Sequence, residues 1–379
     1  MTAVAGATSA AAAPAGAADA SLAPYGSPSR FEADVVRRPR GVPTPAMTPL
    51  GEQLGIITPS GLAFVRNHAG TPSLDPRTHR LVVHGLVKKP LSFSIADLMR
   101  FPSVERIHFL ECSGNSANGW SALGAGVQFS HGLLSCALWT GVPLRAVLDE
   151  AGLQPDAAWV VAEGADGALY DRSIPLGTTL DDALLVYGQN GEMLRPENGY
   201  PLRLLVPGFE GSANVKWLRR LKVTAAPVYS REETAQYTQP GPDGKIRLFD
   251  LVMEAKSVIT YPSPGRRLDG PGFYELRGFA WSGRGRITRV DVSTDGGTTW
   301  SPAQLDDLRA PKALTRFTAP LRWNGAPVEL QSRAADDAGG VQPTRAALVA
   351  ARGSALRYHV NAIARWAIDR DGRVTNLDA

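Results

Sequence analysis

Apolar and polar positions follow different patterns in the two halves of the sequence. Between residues 41 and about 226, short apolar runs alternate with short amphipathic segments and frequent turns. The runs "LAFVRNH" and "HRLVVHGLV" predict strands, and "SIADLMRF" predicts a short helix. The segment "GVPLRAVLDEAGL" predicts an amphipathic helix that starts at Pro143 and is stopped by Gly152. We therefore expect an α+β domain over residues 41–245.

The pattern changes to strands alone in the last third of the chain. Residues 227–257 are rich in turn formers, as in "TQPGPDGK", and we interpret them as a crossing segment. Beyond them, Val290 and Val292 alternate with polar neighbours before a turn at residues 295–297, which is typical of a β-hairpin. Strands at this spacing over about 120 residues predict an all-β, immunoglobulin-like sandwich, which we assign to residues 246–379.

Composition agrees with two folded domains and excludes several function classes. The 379 residues are 44% hydrophobic and 20% charged, enough for two cores, because single cores stop growing near ~250 residues. The net charge of +4 comes from scattered Lys and Arg, so nucleic acid is not an expected partner. No apolar segment approaches the ~20 residues of a membrane helix, and we expect no membrane partner.

The first 40 residues differ from the rest of the chain. Residues 1–29 contain one Asp, no Lys or Arg, and an excess of Ala and Gly that cannot build a core. A disordered leader is one interpretation. The other is the remnant of an export signal, because "TSAAAAPAGAADA" has the small residues of a cleavage region, although the positively charged start is missing.

Three polar or reactive side chains stand out because they lie in apolar surroundings. Cys136 in "LLSCALW" is predicted to be a core residue, whereas Cys112 ends an apolar strand before Ser-Gly-Asn and is either a core residue or a ligand. The two cysteines form no CxxC pair or zinc spacing, and no CxxCH motif for covalent haem is present. Arg203, inside the apolar strand "PLRLLVPG", is costly unless it meets a carboxylate or an anion.

Five short motifs occur in the order found in sulfite oxidases, and the chain resembles that family over roughly residues 41–370. The motifs are "FVRNH" at 64–68, "ECSGN" at 111–115, "NGYPLRLLVPG" at 198–208, "VKWLRRL" at 215–221 and "WSG...VDVSTDGGTTW" at 281–300. The resemblance implies a molybdenum cofactor domain followed by a dimerisation domain. It also implies molybdenum and molybdopterin as cofactors, with one soft protein thiolate completing the sulfur ligands of the pterin.

The resemblance further implies roles for individual residues. Cys112 would bind the molybdenum, and a turn at Gly114 would let the backbone pass close to the cofactor. The residues that would hold the pterin and its phosphate are Asn67, His68, Ser113, Arg203 and Lys216. The residues that would form a positive catalytic pocket for a sulfur anion are Arg66, Trp139, Tyr237 and Arg352.

Two features favour one branch of this family. The phrases "GLLSCALWTGVPL" and "NGEMLRPENGYPLRLLVPG" are more similar to members that oxidise sulfane sulfur in bacterial thiosulfate oxidation. Related sulfite oxidases also carry an arginine just after Cys-x-Gly-Asn, where this chain has Ser116 and Ala117. We therefore expect a wider, less positive pocket, with sulfane sulfur on a carrier-protein cysteine as the substrate.

The resemblance implies oxygen-atom transfer from water to sulfur, with electrons passed to a separate c-type cytochrome. It also implies a periplasmic homodimer formed through the C-terminal domain. The nearest alternative is a sulfite dehydrogenase that oxidises free sulfite to sulfate. A hypothesis of another class is a non-catalytic binding module in which Cys112 is merely buried.

Overall fold

The computed structural model describes residues 29–39, 45–117 and 126–378. The chain divides into two compact units, residues 1–36 and 37–379. The predicted leader, residues 1–40, lies largely outside the described ranges. The described residues of the first unit include a 3-10 turn, Arg30–Glu32. No helix in the described ranges is long and apolar enough to span a membrane.

Short α-helices connect the strands of the second unit. They are α1 (Ile95–Leu98), α2 (Val127–His131), α3 (Leu144–Ala151), α4 (Leu176–Thr179) and α5 (Arg345–Arg352). Helix α1 begins with a capping box, in which the side chains of Ser94 and Asp97 accept each other's backbone N–H groups. Helix α3 begins after Pro143 and ends at Gly152, which takes a φ of 70°, so both predicted helices are confirmed.

The first part of the second unit contains two larger sheets. Its strands are β1 (Arg38–Pro39), β2 (Ala46–Met47), β3 (Leu81–Gly85), β4 (Leu91–Phe93), β5 (Val104–Glu111), β6 (Leu134–Pro143), β7 (Trp159–Gly164), β8 (Asp171–Pro175), β9 (Leu184–Gln189), β10 (Glu192–Met193), β11 (Arg203–Leu205) and β12 (Leu218–Thr224). The sheet orders are β10-β9-β6-β5, with β11 also pairing with β9, and β4-β3-β12-β7-β8. Within these two sheets the β3/β12 pair is parallel and the other pairs are antiparallel.

The predicted strand "HRLVVHGLV" is β3, but the predicted strand "LAFVRNH" is wrong. In that segment Val65 makes an isolated bridge with Ala46, and no strand forms. The polar residues that follow end the pairing, since the carbonyl oxygen of Arg66 accepts a hydrogen bond from the Lys216 side chain instead of from a neighbouring strand.

The second part of the unit is the predicted immunoglobulin-like sandwich, so the predicted fold class is confirmed. Its strands, with the hairpin that precedes them, are β13 (Gln239–Pro240), β14 (Ile246–Arg247), β15 (Lys256–Tyr261), β16 (Gly272–Trp281), β17 (Ile287–Ser293), β18 (Ser301–Pro302), β19 (Gln304–Leu305), β20 (Thr315–Trp323), β21 (Val328–Asp336), β22 (Arg365–Ile368) and β23 (Val374–Asn376). The two antiparallel sheets have the orders β15-β16-β20-β19 and β18-β17-β21-β22-β23. The β13/β14 hairpin spans the predicted domain boundary at residues 245 and 246, and that boundary stays a prediction.

One apolar core continues from the sandwich into the first part. Phe279 and Phe317 of the sandwich belong to the same buried cluster as Phe109 on β5 and Cys136 on β6. Cys136 is therefore a core residue, as predicted. Because side chains alternate along a strand, Leu110, which follows Phe109, and Trp139, three residues after Cys136, point to the opposite face and line a cavity there.

Candidate active site

The Cys112 thiol lies where β5 ends and a tight turn begins. The Cys112 backbone N–H donates to the carbonyl of Leu133 (3.0 Å), and its own carbonyl accepts from the Asn115 N–H (2.8 Å). The Asn115 side chain closes the turn, since its Nδ2 donates to Glu111 Oε1 (2.9 Å) and its Oδ1 accepts from the Leu133 N–H (3.1 Å). These bonds fix the backbone on both sides of the thiol.

Gly211 makes a close approach to the backbone at Cys112, while the predicted approach of Gly114 to the cofactor stays a prediction. A Cβ added at Gly211 would lie 3.1 Å from the carbonyl oxygen of Glu111 and 3.4 Å from the Cα of Cys112. A Cβ added at Gly114 would meet the carbonyl oxygen of Arg357 at 3.8 Å, which is an ordinary contact. A side chain at 211 would therefore require the backbone of Glu111 and Cys112 to shift by a few tenths of an ångström.

Cys112 opens onto a cavity of about 780 Å³, including the part open to solvent. Of the residues predicted to act in a site, those that line it are Arg66, Asn67, His68, Cys112, Trp139, Arg203, Lys216 and Tyr237. They come from six separate stretches of sequence that the two sheets of the first part bring together. Burial raises the pKa of the Cys112 thiol, and a bound metal cation would have the opposite effect.

Arg203, at the start of β11, is a buried cation without a carboxylate partner in the described part of the chain. Its Nη1 donates to the carbonyl of Asn198 (2.9 Å) and its Nη2 donates to that of Asn214 (3.2 Å). Its buried Nε has no partner among the residues that the structure describes. The guanidinium carbon lies 5.2 Å from the ring of Trp139. Burial lowers the pKa of Arg203 to about 9, so this position favours a bound anion.

Lys216 is the second cation that reaches the cavity. Its Nζ donates to the carbonyls of Glu197 (3.1 Å) and Arg66 (3.2 Å) and to the side-chain oxygen of Asn67. All three acceptors are uncharged, and burial together with Arg203 lowers the pKa of Lys216. A bound anion would compensate both cations at once.

His68 and Tyr237 meet at the edge of the cavity. Tyr237 Oη lies 3.2 Å from His68 Nε2, and the His68 ring stacks on Tyr170 with centroids 4.9 Å apart. Burial lowers the pKa of His68 to about 4, with Arg66 and Lys216 acting in the same direction. His68 is therefore a neutral hydrogen-bonding group near pH 7. Burial raises the pKa of Tyr237 well above its ordinary value, so its hydroxyl keeps its proton.

Behind Tyr237 lies a buried group of charged side chains that we name the Arg172 cluster: Arg172, Glu210, Glu233 and His359. The guanidinium of Arg172 contacts Glu210 (2.7 Å) and Glu233 (2.9 Å), and its Cζ lies 4.5 Å from the Tyr237 ring centroid. His359 Nε2 lies 3.2 Å from Glu210. Burial by itself would raise the pKa of Glu210, but Arg172 and His359 hold it at about 2.

The structure does not bring two of the predicted site residues to the cavity. Arg352 is the last residue of α5, and it pairs with Asp250 (2.5 Å) and Glu254 (3.1 Å) beside a different cavity. These carboxylates already balance its charge, so the geometry gives no support to a catalytic role. Ser113 is buried beside Cys112 without lining the cavity, and its carbonyl accepts from the His359 N–H (2.8 Å).

The two residues that replace the family's arginine also lie away from the cavity. Ser116 is buried with a φ of 71° and lines a separate small cavity with Val360 and Trp366. Ala117 packs against the buried cluster that contains Leu348 and Val360. The expectation that these two positions widen the substrate pocket is therefore not supported, and residues 118–125 lie outside the described ranges.

The Arg172 cluster was missed at the level of sequence. Arg172 stands in "YDRSIP" between Asp171 and Ser173, so the argument from apolar neighbours that singled out Arg203 does not apply to it. Its partners are 38 and 61 residues away along the chain, and no local pattern connects them. His359 gave no signal because a lone histidine in a loop has no motif.

A molybdenum–pterin group fits the residues that line the cavity. A partly exposed thiol offers one soft ligand, and the pterin would provide the other sulfur ligands. The unpartnered Nε of Arg203 and the carboxylate-free Lys216 suit a phosphate. The aromatic side chains that line the cavity, among them Phe64, Trp139 and Trp217, provide an apolar side for a flat ring system.

Comparison with known proteins gives the class and then the family. Residues 68–232 match the family model "Oxidoreductase molybdopterin binding domain", and residues 248–365 match "Mo-co oxidoreductase dimerisation domain". The chain is thus a molybdopterin-binding oxidoreductase with a dimerisation domain. It is 36% identical over 315 residues to mitochondrial sulfite oxidase of Mus musculus, a match that covers 76% of this chain and 58% of that protein. The chain belongs to the sulfite oxidase family.

Two further relatives show how far the similarity extends along each chain. The solved structure titled sulfane dehydrogenase SoxCD from Paracoccus pantotrophus is 46% identical, with a TM-score of 0.91 over 95% of this chain and 94% of that chain. The NADH nitrate reductase of Solanum lycopersicum is 34% identical over 303 residues, which is 71% of this chain but 33% of that protein. The chain spans less than three fifths of the length of the mouse relative.

Proposed function

We propose that this chain is the molybdenum subunit of an enzyme that oxidises sulfur. One observation carries the proposal: the Cys112 thiol and the carboxylate-free cation Arg203 line one cavity in a molybdopterin-binding fold. Cys112 is the metal ligand. The pterin and its phosphate are held by Arg203, Lys216, Asn67 and His68.

When bound, the molybdenum–pterin group supplies two-electron redox chemistry and transfer of an oxygen atom derived from water to sulfur. The chain's own residues bind and orient. Arg66, which is exposed beside the cavity, attracts an anionic substrate. Tyr237 keeps its proton and donates a hydrogen bond at the site, while neutral His68 accepts from it or from the bound group. Trp139 closes the cavity against water from the β6 side.

The proposed substrate is sulfane sulfur bound to a cysteine of a carrier protein. The support is the greater similarity to sulfane dehydrogenase, 46% identity over 95% of the chain, than to mouse sulfite oxidase, 36% over 76%. Oxidation of free sulfite is the second candidate, because Arg66, the lining cation that the proposal does not assign to the pterin, would also attract a small dianion.

The proposed partners follow from the same chemistry. The proposed electron acceptor is a separate c-type cytochrome, which the resemblance implies; the 379 residues themselves contain no CxxCH motif. The match to a dimerisation domain over residues 248–365 supports a two-fold homodimer through the sandwich, in line with the closed symmetry of most oligomers. The proposed location is the periplasm, where carrier-bound thiols and c-type cytochromes meet. A monomeric mass at micromolar concentration in sedimentation would contradict the dimer.

The experiment begins with metal and pterin analysis of the purified protein, which should give one molybdenum and one pterin per chain. Reduction of cytochrome c is then measured with free sulfite and with a persulfide on a carrier-protein cysteine, side by side. Faster turnover of the persulfide supports the sulfane assignment. Efficient turnover of sulfite with none of the persulfide makes the chain a sulfite dehydrogenase, and absence of molybdenum overturns the proposal.

A further inference from the structure

We propose that Arg172 is a positioning residue for Tyr237, and that the Arg172 cluster holds the Tyr237 hydroxyl at the cavity. The effect of the cluster on turnover rests on the proposed function. Arg172 is 1% exposed and does not line the cavity, so it cannot touch a substrate. Any influence on the reaction must pass through its neighbours.

Arg172 contacts both the Tyr237 ring and the segment that carries it. Tyr237 ends a single π-helical turn, Glu232–Gln236, and its N–H donates to the carbonyl of Glu232 (3.0 Å). Glu233, inside this turn, is one of the two carboxylates that bind Arg172. The guanidinium therefore holds the turn through Glu233 and lies against the ring at 4.5 Å, a distance at which a cation attracts an aromatic face.

The cluster also connects Tyr237 to the Cys112 turn. The carboxylate of Glu210, the other partner of Arg172, lies 3.2 Å from the ring Nε2 of His359. The backbone N–H of His359 donates to the carbonyl of Ser113. Gly211, the neighbour of Glu210, packs against Cys112 itself. One rigid, buried group thus sets the position of the hydroxyl relative to the thiol.

The presence of a buried charge cluster is weak evidence that it serves stability. Apolar or neutral groups of similar volume often replace such clusters without loss of stability, whereas removal of one partner is costly. The informative variant therefore neutralises the cluster as a whole: Arg172→Met, Glu210→Gln and Glu233→Gln together. Arg172→Lys is the second variant, because it keeps the charge but cannot bridge two carboxylates and face the ring at once.

The first readout needs neither cofactor nor turnover. The nine tyrosines are labelled with 3-fluorotyrosine, and the Tyr237 resonance is identified by its loss in Tyr237→Phe. We expect this ¹⁹F resonance to shift and broaden in both variants, while the resonances of tyrosines remote from Arg172 stay in place; Tyr170, whose ring centroid lies 6.4 Å from that of Tyr237, is not one of these. Asp291→Asn is the matched control, since Asp291 is a buried carboxylate paired with Arg289 (2.7 Å) and Arg333 (3.2 Å) in the sandwich. It should leave the Tyr237 resonance unchanged.

The second readout is a double-mutant cycle on kcat/KM. The neutral triple variant should lose on the order of tenfold to a hundredfold when Tyr237 is present, because small displacements of a reacting group have effects of that size. In the Tyr237→Phe background it should lose less than twofold, because the positioned hydroxyl is gone. Asp291→Asn should have the same small effect in both backgrounds.

An unchanged Tyr237 resonance in Arg172→Lys and in the triple variant overturns the proposal. The proposal is also overturned if the triple variant lowers kcat/KM by the same factor with Tyr237 present and in the Tyr237→Phe background. If the unmutated protein binds no molybdenum or oxidises no sulfur, the proposed function fails instead, and the ¹⁹F resonance still decides whether Arg172 positions Tyr237.

Discussion

Glu111 and Lys256 form a fully buried ion pair directly before the Cys112 thiol, with Lys256 Nζ 2.8 Å from Glu111 Oε1. Lys256 opens strand β15 of the sandwich, and Trp281 of the same sheet donates from its indole N–H to the other carboxylate oxygen (2.6 Å). The end of strand β5, directly before Cys112, is thus held in place by the sandwich. The sandwich contributes to the site in this way, in addition to its proposed role in dimerisation.

Lys256→Met should destabilise the protein strongly, because it leaves the Glu111 carboxylate buried without its cation. We expect the free energy of unfolding in urea to fall by about 3–5 kcal/mol. The double variant Glu111→Gln/Lys256→Met should recover most of this loss, since no buried charge is left. A loss below about 1 kcal/mol in the single variant would show that solvent reaches the pair.

Cys112→Ser should abolish activity and leave the fold intact. A serine hydroxyl stays protonated near pH 7, whereas a metal-bound thiol is deprotonated, so the molybdenum loses its protein ligand. Turnover should fall by orders of magnitude, with an unchanged circular dichroism spectrum. Wild-type turnover at full molybdenum content would refute the assignment.

Cys136→Ser is the matched control for that variant. Cys136 lies in the core between the sandwich and β6, where a hydroxyl without a partner costs about 1–3 kcal/mol of stability. Its kcat should stay within twofold of the unmutated enzyme. Loss of molybdenum from Cys136→Ser, but not from Cys112→Ser, would exchange the roles of the two thiols.

Arg203→Met should separate cofactor retention from stability. In the protein prepared without cofactor, Arg203 is a buried cation with no carboxylate partner among the described residues, so the variant should unfold at a higher temperature than the unmutated chain. In the cofactor-loaded protein the same change removes a charge-assisted contact of about 1.5–3 kcal/mol, and pterin content should fall. Lys216→Met should act on the same anion, so the two losses should not add. Normal pterin content in the double variant would place the phosphate elsewhere.

Sequence patterns predicted the local elements and the cavity residues that lie in motifs, but not the contacts between distant segments. Helix α3 and the β17–β18 hairpin follow from spacing and turn residues, since each is built from neighbours in sequence. Arg352 lies in none of the five motifs, and the carboxylates that hold it away from the cavity, Asp250 and Glu254, lie 102 and 98 residues away along the chain. The orientation of Ala117 likewise depends on packing against α5, which no local pattern encodes.

Acid should destabilise the protein partly through His108, which lies on β5. Burial lowers the pKa of His108 from 6.5 to about 4, and Asp182, which acts in the opposite direction, only partly offsets this effect. The unfolded chain therefore binds a proton below pH 6.5 that the folded chain takes up only near pH 4, so stability present above pH 6.5 is lost as the pH falls. Between pH 7 and pH 5 the unmutated protein should lose about 2 kcal/mol more than His108→Phe in urea unfolding. Parallel curves for the two proteins would contradict this, because they would show that the folded and unfolded chains take up the His108 proton at the same pH.

Ala117→Arg tests where the turn after Cys112 points. Because Ala117 packs against the buried cluster of Leu348 and Val360, an arginine there would crowd that cluster and not enter the cavity. We expect a loss of about 1–3 kcal/mol in stability from overpacking and a KM for sulfite within twofold of the unmutated value. Arg66→Met, which removes an exposed cation beside the cavity, is the comparison and should raise that KM. If Ala117→Arg instead lowers the KM for sulfite several-fold at unchanged stability, residue 117 faces the substrate, and the missing arginine does contribute to the choice between sulfite and sulfane sulfur.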